Sequence, residues 1–210
     1  MPVEPGYFEN RRLEIAELVE PSATTVLDVG CGFGLLGAAL KALNSQRRVV
    51  GVEKDARAAR EAEKFLDKVI NGDVESPDLP LTGELFDCII FADILEHLKD
   101  PLSALINFKK YLRKEGVIIC SIPNMRHYTV FVRLLTEGWK YDDFGLFDRT
   151  HLRFFSLQTM KELIQDAGLS IELIRPKVEA SKKAKFLNRL LFNRAEEFVA
   201  MQYLIKARDN

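Results

Sequence analysis

Asp28, Gly30, Gly32 and Gly34 crowd into one short stretch of a 210-residue chain, directly after the apolar run Val26-Leu27. Glycines at alternate positions permit a tight turn and let backbone N–H groups approach a ligand without Cβ obstruction. The aspartate adds a carboxylate, which suits a cationic group and repels a phosphate. Two further acids, Glu53 and Asp73, each follow a short apolar run. An acid so placed can accept from the hydroxyls of a ribose or from an exocyclic amino group. All three histidines, His97, His127 and His151, lie in the second half. Asp93 and His97 are four residues apart, a spacing that would place them on one helical face beside Glu96. A histidine in such company can take a proton from a hydroxyl.

The elements that must position these residues are written as short β-branched runs alternating with helical patterns, the signature of a parallel sheet with helices on both faces. Strands are expected at Thr24–Val29, Arg48–Glu53, Val69–Asn71, Phe86–Phe91, Val117–Ile122, Leu169–Ile174 and Met201–Ala207. Helices are expected at Glu9–Glu20, Leu35–Leu43, Asp55–Leu66, Pro101–Leu112, Ser156–Gly168 and Lys182–Val199. The fold class is therefore α/β, a doubly wound, mostly parallel seven-stranded sheet with its last strand antiparallel. Residues 1–210 form one domain in this reading, and the aromatic-rich stretch 123–155 is a cap inserted after the fifth strand.

Composition narrows the function. Apolar residues make up 47% and charged residues 29%, and the formal net charge of −1 lacks the basic excess of a general nucleic-acid binder. Cys31, Cys88 and Cys120 are odd in number and suit neither a zinc knuckle nor a disulfide framework, so buried free thiols are expected. The first ten residues carry no apolar leader, and no run is long enough to cross a bilayer. A cytoplasmic protein is expected.

Gly32-Phe33-Gly34-Leu35-Leu36-Gly37 formally matches a dinucleotide fingerprint, with Glu53 as the ribose acid, and keeps an NAD(P)-dependent oxidoreductase as a rival. Against it, the glycine run begins earlier, at Gly30, and Asp28 would face a pyrophosphate. S-adenosyl-L-methionine has an adenosine, an amino acid and a sulfonium but no phosphate, and it fits three acids better.

The stretch Val26-Leu27-Asp28-Val29-Gly30-Cys31-Gly32-Phe33-Gly34 resembles the first motif of the seven-stranded S-adenosylmethionine-dependent methyltransferases. Val52-Glu53-Lys54-Asp55, Gly72-Asp73-Val74 and Phe86-Asp87-Cys88-Ile89-Ile90 resemble the following motifs in order. Asp93-Ile94-Leu95-Glu96-His97-Leu98 is similar to the segment after the fourth strand in the small-molecule branch that includes ubiquinone-biosynthesis enzymes. Gly145 to Phe155 resembles a stretch of bacterial methyltransferases of polysaccharide and lipid-linked sugars. The resemblance implies Glu53 on the ribose, Asp73 near adenine and the Gly30–Gly34 loop, with Cys31, under the methionine part. It also implies that Asp28, Lys54, Val74, Ala92 and Asp93 line the cofactor, and that Tyr7 and Arg11 close over it. A methyl group would pass to a hydroxyl or amine of a small or glycan-like acceptor.

For the acceptor's proton, His151 is the first candidate, followed by His127 and the pair His97 and Asp93. Arg126, Tyr128, Arg149 and Phe155 are the expected acceptor contacts, the arginines suiting an anionic sugar or lipid-linked group. A metal site from Glu96, His97, His127 and His151 is conceivable, but the further acidic ligands of such sites are missing, so no metal is expected. Lys182–Arg194 alternates basic and apolar residues. Packing on the sheet is the commoner fate of such a helix, and peripheral membrane contact the rarer one. A non-catalytic binding protein on the same fold is the remaining alternative.

Overall fold

The computed structural model describes residues 12–178 and 196–209. Seven strands form one sheet: β1 (Thr25–Val29), β2 (Arg48–Glu53), β3 (Lys68–Asn71), β4 (Phe86–Ala92), β5 (Leu112–Pro123), β6 (Leu169–Lys177) and β7 (Gln202–Asp209). Their order is β3-β2-β1-β4-β5-β7-β6, with β7 antiparallel to both β5 and β6. Helices α1 (Leu13–Ala16), α2 (Leu35–Leu43), α3 (Ala56–Ala62), α4 (Pro101–Lys109), α5 (Tyr128–Thr136) and α6 (Leu157–Asp166) connect them. No helix among the described residues is long and apolar enough to cross a membrane.

Because successive strand residues face opposite sides, one run of apolar residues builds two cores. Leu27 and Val29, Val50 and Val52, and Ile89 and Phe91 enter one cluster. Val26, Val49, Cys88 and Ile90 enter the other. This is why the central strands read as continuous hydrophobic runs rather than alternating ones. Capping fixes where helices begin: Asp55 accepts from Arg57 N and Ala58 N at the start of α3, and Ser156 with Thr159 closes a capping box on α6.

Several boundaries differ from the sequence reading. The first helix is described only as α1, since residues before 12 lie outside the described set. α3 stops at Ala62 rather than Leu66, and α4 stops at Lys109 because Leu112 already pairs with Phe86 in the sheet. The cap contains an additional helix, α5, whose apolar residues Tyr128, Phe131 and Leu135 are largely exposed. Of the expected basic helix, only the turn Glu196–Val199 is described, and Lys182–Arg194 lies outside.

Gly51 joins the second strand to the glycine turn. A Cβ there would lie 2.5 Å from Cys31 Sγ and 2.6 Å from Leu66 Cδ1, on a strand paired on both edges. Gly51→Ala is expected to cost about 1–3 kcal/mol, read as a lower midpoint in urea, because the buried side-chain ends of Cys31 and Leu66 must shift within the core to admit it. An unchanged midpoint would show that this approach is not tight.

Candidate functional site

β1 lies at the point where chain connections diverge, leading to β2 on one side and, after β3, to β4 on the other. Ligands in open parallel sheets bind at the carboxyl ends of strands at this switch point. Here it opens a cavity of about 400 Å³, lined by the turn after β1, the turn after β4, the cap and the start of β7. That volume suits a cofactor-sized ligand.

Gly30, Gly32 and Gly34 have φ of 76°, 54° and 77°, the left-handed region that favours glycine. Gly30 N and Cys31 N both donate to Val52 O, tying the turn to β2. Glu53, at the end of β2, accepts from Gly32 N at 2.9 Å and Asp55 N at 2.8 Å, one bond to each carboxylate oxygen. Asp28 beneath the turn is 1% exposed, and neither of its carboxylate oxygens has a hydrogen-bond partner. Burial pushes its pKa up to about 7, with the nearby Glu53 adding to the shift and Arg12 opposing it. A buried carboxyl without donors is costly, and a cationic or donor-bearing ligand would relieve that cost.

After β4, Asp93 adopts a left-handed φ of 54° and its N–H donates to Ser121 O. Its carboxylate accepts from Ser121 Oγ at 2.8 Å and Gln202 Nε2 at 2.9 Å, and forms an ion pair with Arg12. Arg12 is buried and also donates to Ser121 Oγ at 2.7 Å. A single 3₁₀ turn, Leu95–His97, follows. Asp93 and His97 therefore do not share an α-helical face: Asp93 turns to β5 and β7, whereas His97 turns to the cap.

Glu96 joins the cap to this turn. Its carbonyl accepts from Leu152 N and Arg153 N at 2.8 and 3.0 Å. Its side chain is 1% exposed and faces the cavity, and Oε2 has no partner. Burial pushes its pKa up to about 8, against the opposing influence of its own backbone N–H and of Arg12. His97 and His151 stand edge to face with ring centroids 4.7 Å apart, and both line the cavity. His97 Nδ1 lies 2.9 Å from Thr150 Oγ1, which donates in turn to Asp148 Oδ1. His151 is held down to about 4 by burial first and then by His97, and its Nδ1 has no partner. Glu96, His97 and His151 each bring one donor atom within 4.8 Å of the others, a spread that also suits a bound cation.

The site residues read from the sequence divide accordingly. Asp28, Gly30, Cys31, Gly32, Glu53, Ala92, Asp93, His97 and His151 line the cavity. Gly34 starts α2 behind it, Val74 is buried in the core, and Asp73 pairs with Lys54 at 2.6 Å and lines a neighbouring hollow. His127 is buried outside the cavity, with Nδ1 2.7 Å from Thr129 Oγ1. The four expected acceptor contacts are absent from the lining. Arg126 pairs with Glu197, Arg149 pairs with Asp143, Tyr128 stacks on His127, and Phe155 packs in the main core. Tyr7 and Arg11 lie outside the described residues.

The sequence reading missed Arg12, Asp148 and Gln202 as cavity residues, and named Glu96 only as a neighbour of Asp93 and His97 and in a conceivable metal set. Arg12 is one position from the arginine singled out, and Glu96 lay beside the chosen pair. Gln202 carried no local signal, because an antiparallel insertion from the far end of the chain brings it in.

Comparison with known proteins agrees with this geometry. The family model for a methyltransferase domain matches residues 7–174. A ubiquinone biosynthesis O-methyltransferase of Cereibacter sphaeroides is 28% identical over 150 residues, covering 69% of this chain. The chain spans 59% of the length of that curated relative. Among solved structures, a methyltransferase of Thermotoga maritima, named as S-adenosylmethionine-dependent and a possible histamine N-methyltransferase, superposes with a TM-score of 0.67 at 20% identity. It covers 94% of this chain and 87% of that one. The plantazolicin methyltransferase BpumL, solved with S-adenosylhomocysteine, gives 0.64 at 15% identity, covering 90% of this chain and 77% of its own. With a family model spanning most of its length and the glycine turn, acids and sheet order in place, the chain belongs to the S-adenosylmethionine-dependent methyltransferase family.

Proposed function

We propose that residues 1–210 act as one cytoplasmic methyltransferase domain that moves a methyl group from S-adenosylmethionine to a small acceptor. The observation that carries this reading is the partnerless, buried Asp28 carboxyl beneath the glycine turn. It fits a ligand that brings a cation or N–H donors to the turn, and it opposes a pyrophosphate there. Three buried free thiols agree with a reducing compartment.

In this reading the Gly30–Gly34 turn and Asp28 hold the methionine part, and Arg12 orients its carboxylate. Glu53 accepts from the ribose hydroxyls, and Asp73 with Lys54 serves the adenine end. Bound S-adenosylmethionine supplies a methyl group already activated by its sulfonium. The chain's task is to position the acceptor, exclude water and take a proton. His151, neutral above pH 4, and Glu96 are the groups on the acceptor side able to take it. The arginines read from the sequence as anion contacts are committed to ion pairs outside the cavity, so an anionic glycan is not favoured.

Isothermal titration with S-adenosylhomocysteine and NAD separates this reading from the oxidoreductase. Binding of the first at micromolar Kd, about −8 kcal/mol, with no heat from the second, is expected. Preference for NAD would sink the proposal. A screen of hydroxyl and amine acceptors with labelled S-adenosylmethionine then tests for transfer.

A further inference from the structure

We propose that Glu96, with His151 and His97 beside it, is a receptor for a primary ammonium group, so that the acceptor is an amine that enters as its cation. This assigns a substrate class to the same cavity and rests on the methyltransferase reading above.

Charge comes first. Five acidic residues line the cavity, Asp28, Glu53, Asp93, Glu96 and Asp148, against one guanidinium, Arg12. Most of that charge is already engaged. Arg12 is paired with Asp93, Glu53 holds Gly32 N and Asp55 N, and Asp148 holds the Thr150 N–H and hydroxyl. Asp28 sits under the glycine turn. Glu96 is the remaining acid, 1% exposed and with Oε2 lacking any partner.

Geometry narrows the ligand. His151 is 9% exposed, and its Nδ1 also lacks a partner. One donor atom from each of Glu96, His97 and His151 lies within 4.8 Å of the other two. Two buried acceptors without a partner, Glu96 Oε2 and His151 Nδ1, converge beside the His97 ring and match a primary ammonium, which has three N–H donors and a positive charge. A hydroxyl has one donor and would leave one of the two acceptors unmet. A carboxylate or phosphate has none, and would meet Glu96 as a like charge. Phe33, Leu146 and Met201 supply an apolar wall for the rest of such a molecule.

The test is isothermal titration of the protein, with and without S-adenosylhomocysteine, against three probes of one shape: 2-phenylethylamine, 2-phenylethanol and phenylacetate. At a pH near 8.5 Glu96, pushed up to about 8, is mostly ionised, while the amine is a cation, the alcohol neutral and the acid an anion. The amine is expected to bind at least about tenfold tighter than the alcohol, and the acid not at all. Glu96→Gln mimics the protonated side chain in shape and should fold, which a thermal melt verifies. It should reduce amine affinity to that of the alcohol, whereas Glu96→Asp should retain part of the preference. Equal binding of amine and alcohol, preference for the acid, or an undiminished preference in Glu96→Gln would overturn the proposal. So would the absence of binding by any probe at about 10 mM. Zn²⁺ titrated alone provides a control: binding that Glu96→Gln abolishes, without amine preference in wild type, would make the three donors metal ligands instead. A protein that ignores S-adenosylhomocysteine yet selects the amine through Glu96 would sink the methyltransferase reading alone.

Discussion

Asp28→Asn is expected to melt of order 5 °C above wild type at pH 8 while binding S-adenosylhomocysteine about 10–100-fold more weakly. The two effects share one cause. Asp28 is fully buried without a partner, and its pKa of about 7 stands well above the ordinary carboxylate value of 3.8. The native state thus binds this proton more tightly than the unfolded chain. Its stabilising contribution is fully present below about pH 4 and is lost as pH rises to about 7. Above that, ionised Asp28 lowers stability by an amount of order 4 kcal/mol, and asparagine removes the charge. In the complex the same ionised group would meet the ligand's ammonium, so wild-type affinity should rise with pH through 7 and the variant's should stay flat. Differential scanning calorimetry at pH 5 and pH 8, paired with calorimetric binding, measures both effects. A variant less stable than wild type at pH 8, with unchanged affinity, would refute the account.

The second large effect concerns the acceptor's proton. An ordinary histidine base would give a rate rising through about 6.5. Burial and the neighbouring His97 hold His151 down to about 4, so its own limb should lie below the working range. Glu96, pushed up to about 8, becomes the stronger base once ionised. Plots of kcat/KM against pH should therefore climb up to tenfold per unit between about 6 and 7.5 and level above 8. Glu96→Gln should lower turnover by about 10²–10⁴-fold and flatten that limb, with S-adenosylhomocysteine affinity nearly unchanged. His151→Ala should retain the limb near 8. A wild-type inflection near 6.5 that disappears in His151→Ala would return the role to the histidine.

The parallel sheet was legible because its strands are buried on both faces and read as unbroken apolar runs. Asp28, Glu53 and the glycine turn were legible because a strand–turn–helix unit is local, and its spacing alone places them. Residues brought together across the chain were less legible. Arg126 and Arg149 looked available for an anion, yet each meets an acid that pattern alone does not pair with it. The aromatic cap packs on itself only in part: Trp139 stands edge-on to both Phe147 and Phe154 at 5.2 Å, while Tyr128, Phe131, Tyr141 and Phe144 stay exposed. Asp93 and His97 seemed to share a face because four-residue spacing presumes an α-helix, and the chain makes a 3₁₀ turn instead. The pKa of His151 follows from burial and a neighbour more than fifty residues away, neither of which has a sequence period.

The placement of β7 bears on how the protein is made. Gln202, the first residue of that strand, donates to Asp93 at the end of β4, and β7 lies between β5 and β6 rather than at the sheet's edge. During synthesis β1 to β5 can pair as they emerge, since each joins a neighbour already present. β6 then has no partner in the sheet until β7 arrives. The Asp93 corner is therefore finished last, after its Arg12 and Ser121 partners have long left the ribosome. A nascent chain halted before Gln202 therefore carries the glycine turn beside an open sheet edge at β5, the kind of edge that invites off-pathway pairing.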